Sequence, residues 1–174
     1  MIVNIFSIPL IIGNIDCSKI KINNKGFNKK WLSKTKTSFD FKNQLTKESE
    51  DYLLNVLSKN LIQFFKNKFA FKINGIWENH YEENDYQEAH IHTNSDFSFI
   101  IYKEVCEANT IFLNPLRYQI EANNCCDYFD QKYHPTLRQN QIIVFPSFLE
   151  HLVLKNNKSK TISGNILINK NEFN

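Results

Sequence analysis

His90-Ile91-His92 places two imidazoles one residue apart. On a β-strand alternate side chains share a face, so this spacing aims both rings the same way. A third histidine, His151, closes the run Phe145-Pro146-Ser147-Phe148-Leu149-Glu150-His151 at the end of another strand-like segment, and Lys160 opens a further β-rich stretch soon after. Imidazoles converging from two strands, with a cation nearby, suit a mononuclear metal site that also takes an anionic co-substrate. Taken singly, each histidine reads as an ordinary surface or core side chain; the combination is what points to metal. His80 and His134 have no such company. The carboxylates Asp85, Glu88, Asp96 and Glu150 flank the motif and read first as solvated charges. Asp96 lies four residues after His92, which on a regular strand returns it to the same face, so His92 and Asp96 both stay open as the residue that completes the ligand set.

The elements that must position these residues are mostly strands. One helix is expected over 47–69, where Leu53, Leu57, Leu61, Phe64 and Phe65, joined by Leu54 and Ile62, recur at helical spacing. Thr46 can cap it, and Glu48, Glu50 and Asp51 suit the positive end of its dipole. Residues 1–15 read as an edge strand, and 16–45 as a polar, Lys-rich stretch anchored by Trp31, Phe39 and Phe41. After the helix the period turns to β, with strands expected over 71–82, 89–93, 97–104, 109–114, 117–122, 141–146, 150–155 and 160–168. Short strands between polar turns predict a mainly β sandwich or jelly roll with one supporting N-terminal helix.

Composition bounds the rest. A chain of 174 residues is expected to be one domain, 1–174, with helical support about 46–70 and a jelly-roll core about 71–170. A net charge of +3 is too small to argue for nucleic acid, and the lysines crowded into the first third read as solvated surface. Cys17, Cys106, Cys125 and Cys126 form no C-x-x-C pair, and vicinal cysteines make a poor ordinary disulfide, so the thiols fit a reducing cytoplasm. The apolar start lacks a basic region and a cleavage site, and is too short to span a bilayer.

Trp77-Glu78-Asn79-His80-Tyr81, followed by Asp85-Tyr86-Gln87-Glu88-Ala89-His90-Ile91-His92-Thr93-Asn94-Ser95-Asp96-Phe97-Ser98-Phe99-Ile100-Ile101-Tyr102, resembles the 2-oxoglutarate/Fe(II) oxygenases of marine bacteria and phages. That family combines a Trp-x-Asn opening, His-x-His, a strand of the form Ser-Gly-Val-Tyr-Tyr, Phe-Pro-Ser-x-x-x-His and a closing Arg…Ser-x-Ser-Phe-Asn segment. Here the last two stand as Phe145 to His151 and as Thr161-Ile162-Ser163-Gly164-Asn165. The likeness spans roughly residues 75–168. His-x-His together with Phe-Pro-Ser-x-x-x-His is fairly specific; either alone is weak.

The resemblance implies a double-stranded β-helix, cupin-like, with Fe(II) and 2-oxoglutarate in its mouth. It implies His90, His92 and His151 as metal ligands, Lys160 as the partner of the distal carboxylate of 2-oxoglutarate, and Tyr102 and Ser163, with Tyr81, as hydroxyls around that acid. The chain departs from the pattern in four places. His92 stands where the superfamily usually has a carboxylate. Lys160 stands for the usual Arg, and alignment through Asn165 makes Lys158 its competitor. Phe99 replaces a Gly and is expected to narrow the pocket, and Asn140 replaces the Gly of a turn. The implied activity is a hydroxylation in which 2-oxoglutarate becomes succinate and CO₂, with loops 123–140 and 16–45 choosing an unidentified primary substrate. A homodimer is compatible with this reading. Two rivals stand beside it: a cupin-like metal dioxygenase that uses no 2-oxo acid, and a degenerate, non-catalytic binding domain.

Overall fold

The structure is a computed structural model and describes residues 7–29, 35–65, 69–105, 110–155 and 158–169. In chain order its elements are β1 (Ile11–Asn14), a 3₁₀ turn (Cys17–Lys19), β2 (Ile22–Asn23), β3 (Asn28–Lys29), β4 (Lys36–Thr37), β5 (Gln44–Leu45), α1 (Lys47–Leu61), β6 (Phe71–Tyr81), β7 (Gln87–His90), β8 (Phe97–Glu104), β9 (Thr110–Leu113), α2 (Arg117–Ala122), β10 (Lys132–Tyr133), β11 (Gln141–Pro146), β12 (His151–Val153) and β13 (Ser159–Ile168). A seven-stranded sheet in the order β1-β11-β8-β13-β6-β4-β3 faces a four-stranded sheet, β10-β9-β12-β7. All pairings are antiparallel. This is the mainly β jelly-roll architecture expected from the strand pattern, in the double-stranded β-helix form that the resemblance implies.

The central strands are buried on both faces, which explains why β8 and β11 read as apolar runs and not as alternating ones. On β8, Phe97, Phe99 and Ile101 turn to one side, where Ile142 and Val144 of β11 and Leu53, Leu57 and Leu61 of α1 complete a core. Ile100 and Tyr102 turn to the other side, between the sheets, with Ile143, Phe145, Phe112 and Leu149. The three leucines of α1 are fully buried, each contributing about 1.5–3 kcal/mol by transfer from water. Thr46 caps α1 by accepting from the Ser49 N–H at 3.3 Å. The helix is a bracing element on the outer face of the large sheet, and the inner face is left for chemistry.

Several expectations shift at element ends. The helix stops at Leu61, short of the expected end at residue 69; Phe64 and Phe65 lie beyond it and meet Phe97 edge-on at ring-centroid separations of 5.6 and 5.8 Å. Their apolar spacing reflects packing after the helix, not its continuation. Residues 117–122 form α2 and not the expected strand. The Asn114 side chain accepts from the Leu116 N–H at 2.9 Å, the Arg117 N–H bonds the Asn114 carbonyl, and Arg, Gln, Glu and Ala then favour a helical turn. None of its residues is buried, so the apolar alternation there had no core to face. Met1 to Phe6 of the expected first strand and the expected anchor Trp31 lie outside the described residues. Phe39 meets Trp77 edge-on at 4.9 Å, as an anchor should. No helix among the described residues is long and apolar enough to cross a membrane.

Two departures from the resembled pattern have structural explanations. Asn140 has φ 64°, the left-handed region that the turn demands and that Asn tolerates better than most residues. Phe99 does not narrow the pocket, because it points at the helix side and is fully buried there. Its ring lies over Gly164, its register partner on β13. A Cβ on Gly164 would collide with the Phe99 ring and lie 2.6 Å from the Gly75 carbonyl oxygen. Gly164→Ala is therefore expected to lower stability by about 1–3 kcal/mol, the usual cost of overpacking, read as a fall in thermal midpoint. The double variant with Phe99→Leu should recover part of that loss.

Candidate metal centre

The small sheet sets two of the three histidines. His90 ends β7 and His151 opens β12, and the two are direct cross-strand partners with ring centroids 4.3 Å apart. His92 lies past the end of β7, not on the strand as the His-x-His spacing suggests. Its backbone N–H donates to the Ser147 carbonyl at 2.9 Å, which turns the chain back toward the site. Its ring stacks against Trp77 at 5.6 Å and stands 5.2 Å from the His151 ring. One ring nitrogen from each of His90, His92 and His151 lies within 4.8 Å of the others. The structure thus brings the three expected histidines to one point.

Their hydrogen bonds determine which nitrogens face that point. His90 Nδ1 donates to the Glu88 carbonyl at 2.7 Å, His151 Nδ1 to the Leu149 carbonyl at 3.1 Å, and His92 Nδ1 to Asn165 Oδ1 at 2.7 Å. A carbonyl oxygen only accepts, so each Nδ1 carries the proton and each Nε2 keeps a lone pair. His92 Nε2 is buried with no hydrogen-bond partner. An orphaned buried acceptor costs about 1–3 kcal/mol, and a metal ion would satisfy it. The donor set is the one a first-row divalent metal takes, with outer partners already fixing ring orientation.

Asn165 is the residue that spacing alone did not reveal. Its Oδ1 also accepts from Ser98 Oγ at 3.0 Å, and Ser98 Oγ meets Ser147 Oγ at 2.8 Å. This gives the Phe-Pro-Ser run a physical meaning: Ser147 steers His92 through its carbonyl and steadies Asn165 through its hydroxyl. Asp96 is not part of the cluster. Its carboxylate accepts from the Ile168 N–H at 2.9 Å and ties down the end of β13.

Burial pushes all three imidazoles toward the neutral form. It lowers His92 to about 4, with the charge of His90 acting in the same sense and the Asn165 bond opposing. Burial lowers His90 also, against its bond to Glu88, and carries His151 well below the ordinary range. His151 is 2% exposed. The rings are therefore ready to ligate without first losing a proton.

The other expected residues divide. Tyr102 and Ser163 line a small inner cavity beside the histidines, together with Tyr81 and Thr161. The Tyr102 hydroxyl donates to Thr110 Oγ1 at 2.8 Å and that of Tyr81 to Gln87 Oε1 at 2.9 Å. Burial pushes both phenols up, so they stay protonated. Lys160 is not with them. Strand alternation turns Ser159, Thr161 and Ser163 inward and Lys160 away, and its Nζ pairs with Glu104 Oε2 at 2.8 Å with the side chain 41% exposed. Lys158 is 81% exposed and pairs with Glu82 at 3.7 Å. The inner cavity measures about 20 Å³, and an outer cavity of about 210 Å³ opens on His90 and His92 from the other side. Among the described residues, no Lys or Arg lines either one.

No family model matches the chain, and no curated protein matches it. Among solved structures it is similar to an oxidoreductase of the 2OG-Fe(II) oxygenase family from Burkholderia pseudomallei, at 13% identity and TM-score 0.50, over 91% of this chain and 68% of that one. It is also similar to HygX from Streptomyces hygroscopicus, solved with nickel and 2-oxoglutarate bound, at 7% identity and TM-score 0.51, over 91% of this chain and 82% of that one. The fold shared with these structures is the double-stranded β-helix. At these identities the likeness concerns the fold alone.

Two outcomes follow from the geometry. Asn165→Ala should weaken Fe(II) or Zn(II) binding about 10- to 100-fold, as loss of an outer partner of a ligating histidine does, measured by competition with a chelator; Asn165→Asp should largely keep the affinity. The second concerns acid. A histidine whose folded value is depressed adds no pH dependence above its ordinary value of about 6.5. Below that the unfolded chain takes up protons that the folded chain refuses, so stability falls until the folded value is reached. The metal-free protein should therefore lose stability between about pH 6.5 and the value of about 4 for His92. Urea midpoints at a series of pH values check this.

Proposed function

We propose that this chain is an Fe(II)- and 2-oxoglutarate-dependent oxygenase that hydroxylates a C–H bond, with His90, His92 and His151 as the iron ligands. The observation that carries the reading is the buried, partnerless Nε2 of His92 beside two further Nε2 lone pairs, in an oxygenase fold. Iron with 2-oxoglutarate and O₂ supplies the oxidising power, the oxo acid leaving as succinate and CO₂. In the same reading residues 1–174 act as one domain in the cytoplasm.

Charge supports the pairing of three histidines with a pocket that no Lys or Arg among the described residues lines. A divalent metal, three neutral imidazoles and a dianion sum to zero. A site with two histidines, a carboxylate and an anchoring cation reaches the same sum. Losing the carboxylate ligand and the cation together leaves a buried site just as neutral, whereas losing either alone would strand a charge at low dielectric. In this reading the acid is held by neutral donors, the hydroxyls of Thr161 and Ser163, joined by the phenols of Tyr81 and Tyr102 once these release Gln87 and Thr110.

Gln87 has a part in orienting what binds at the metal. Its Oε1 accepts from Tyr81, and its Nε2 lies 3.4 Å from His90 Nε2. Because that ring nitrogen bears a lone pair, the amide N–H is the group that faces it. With the lone pair taken up by a metal, the same N–H is available to an oxygen atom alongside.

One observation favours a second reading. An inner cavity of about 20 Å³ holds about one water, so a five-carbon diacid would enter only if Tyr81 or Tyr102 moved. A dioxygenase of cupin type that binds its substrate on the metal and uses no 2-oxo acid needs no such space. Anaerobic addition of 2-oxoglutarate to the Fe(II)-loaded protein decides between them. The proposal expects the weak visible charge-transfer band of the chelate, and succinate once O₂ is admitted; oxygen consumption without either would select the second reading. Lys160→Ala and Lys158→Ala should each leave the 2-oxoglutarate affinity within about twofold, since both ammonium groups are spent on exposed ion pairs worth little.

A further inference from the structure

We propose that the outer cavity takes an uncharged, planar, amide-bearing group, such as a carboxamide, a lactam or an amide-edged ring, and presents it to the metal. The inference rests on the metal centre proposed above and adds the chemistry of the primary substrate.

The first support is how charge is distributed on the cavity's walls. On β4, Thr37 lines the cavity while the adjacent Lys36 is exposed on the other face. On β6, Trp77 and Asn79 line it while Glu78, between them, turns away and pairs with Lys103 at 3.0 Å. On β13, Asn165 lines it and Lys160 lies on the far face against Glu104. Three wall strands thus present neutral polar or aromatic side chains inward and carry their charges outward. A charged group entering this cavity would lose water and find no counter-charge among the described residues, which is costly at low dielectric.

The second support is the pattern of unused hydrogen-bonding capacity. Asn165 Oδ1 is filled by two donors, His92 Nδ1 and Ser98 Oγ, so what it offers the cavity is its NH₂ group. Asn79 is the reverse. Its Nδ2 donates to Thr161 Oγ1 at 3.4 Å and Ser163 Oγ at 3.2 Å, so what it offers is its carbonyl oxygen. One donor and one acceptor are the complement of an amide edge. Trp77 and Phe39 add aromatic surface. The cavity's volume of about 210 Å³ exceeds the roughly 150 Å³ that accommodates a benzene ring in an engineered apolar cavity.

The test uses three probes of one shape: benzamide, benzoate and benzamidine. Ligand-observed NMR on the chelator-treated protein gives their affinities, and proton relaxation with Mn(II) loaded places any bound probe relative to the histidines. The expected result is benzamide binding at least about tenfold tighter than either charged probe, with its protons relaxed by Mn(II). Asn79→Leu should weaken benzamide about 3- to 10-fold, the loss of one neutral hydrogen bond, with Mn(II) affinity unchanged. Thr93→Lys, at the exposed rim of the cavity, avoids any folding defect of a buried change and should shift preference toward benzoate. Equal binding of all three probes, or benzamide that Mn(II) does not relax, overturns the inference while leaving the metal reading intact. Benzamide preference in a protein that binds no Mn(II) supports the cavity's chemistry and overturns the metal reading.

Discussion

Three N–H···O hydrogen bonds decide what this protein can do. Each holds one imidazole with its proton on Nδ1, so that three Nε2 lone pairs face one another across a few ångströms. Neutral rings packed this way repel weakly as lone-pair dipoles, and one of them is left buried without a partner. That arrangement is unfavourable for a protein that never binds anything there, and it is what a ligand set looks like when its outer contacts are already made. The two sheets serve this arrangement. β7 and β12 pair His90 with His151, and the turn through Ser147 brings in His92.

The same economy runs through the surroundings. Asn165 orients His92 with its oxygen and faces the outer cavity with its nitrogen, so ligand geometry and substrate recognition share one side chain. Ser98 and His92 prevent that amide from turning, because both donors converge on Oδ1 only in one orientation, and Ser147 holds the Ser98 hydroxyl in place. On the other face of β13, Gly164 makes room for Phe99, which locks the helix-side core. The strand thus carries a rigid apolar face against α1 and a polar face toward the site, and any change that shifts it moves both.

Much of this was legible in the residues. Unbroken apolar runs identified β8 and β11 to the residue, because both strands are buried on both faces. The clustering of the three histidines was readable because a metal site draws on few residue types and this chain uses few histidines. Lys160 was misplaced for a simple reason: it sits between inward-facing Ser159 and Thr161, and a one-residue step on a strand reverses the face. Residues 117–122 looked like a strand because apolar residues alternate there, but a turn begun by Asn114 won over a pattern that has no core to face. Asn165 and Gln87 could not be found from spacing, since their roles depend on which atom of an amide is already engaged.

The most direct measurement is a long-range ¹H–¹⁵N correlation of the histidine side chains, recorded before and after one equivalent of Zn(II). The account expects His90, His92 and His151 as Nδ1–H tautomers in the metal-free protein, with all three Nε2 resonances shifting on metal addition and the Nδ1 protons retained. Any of the three present as the Nε2–H tautomer, or an Nε2 that ignores the metal, would contradict it.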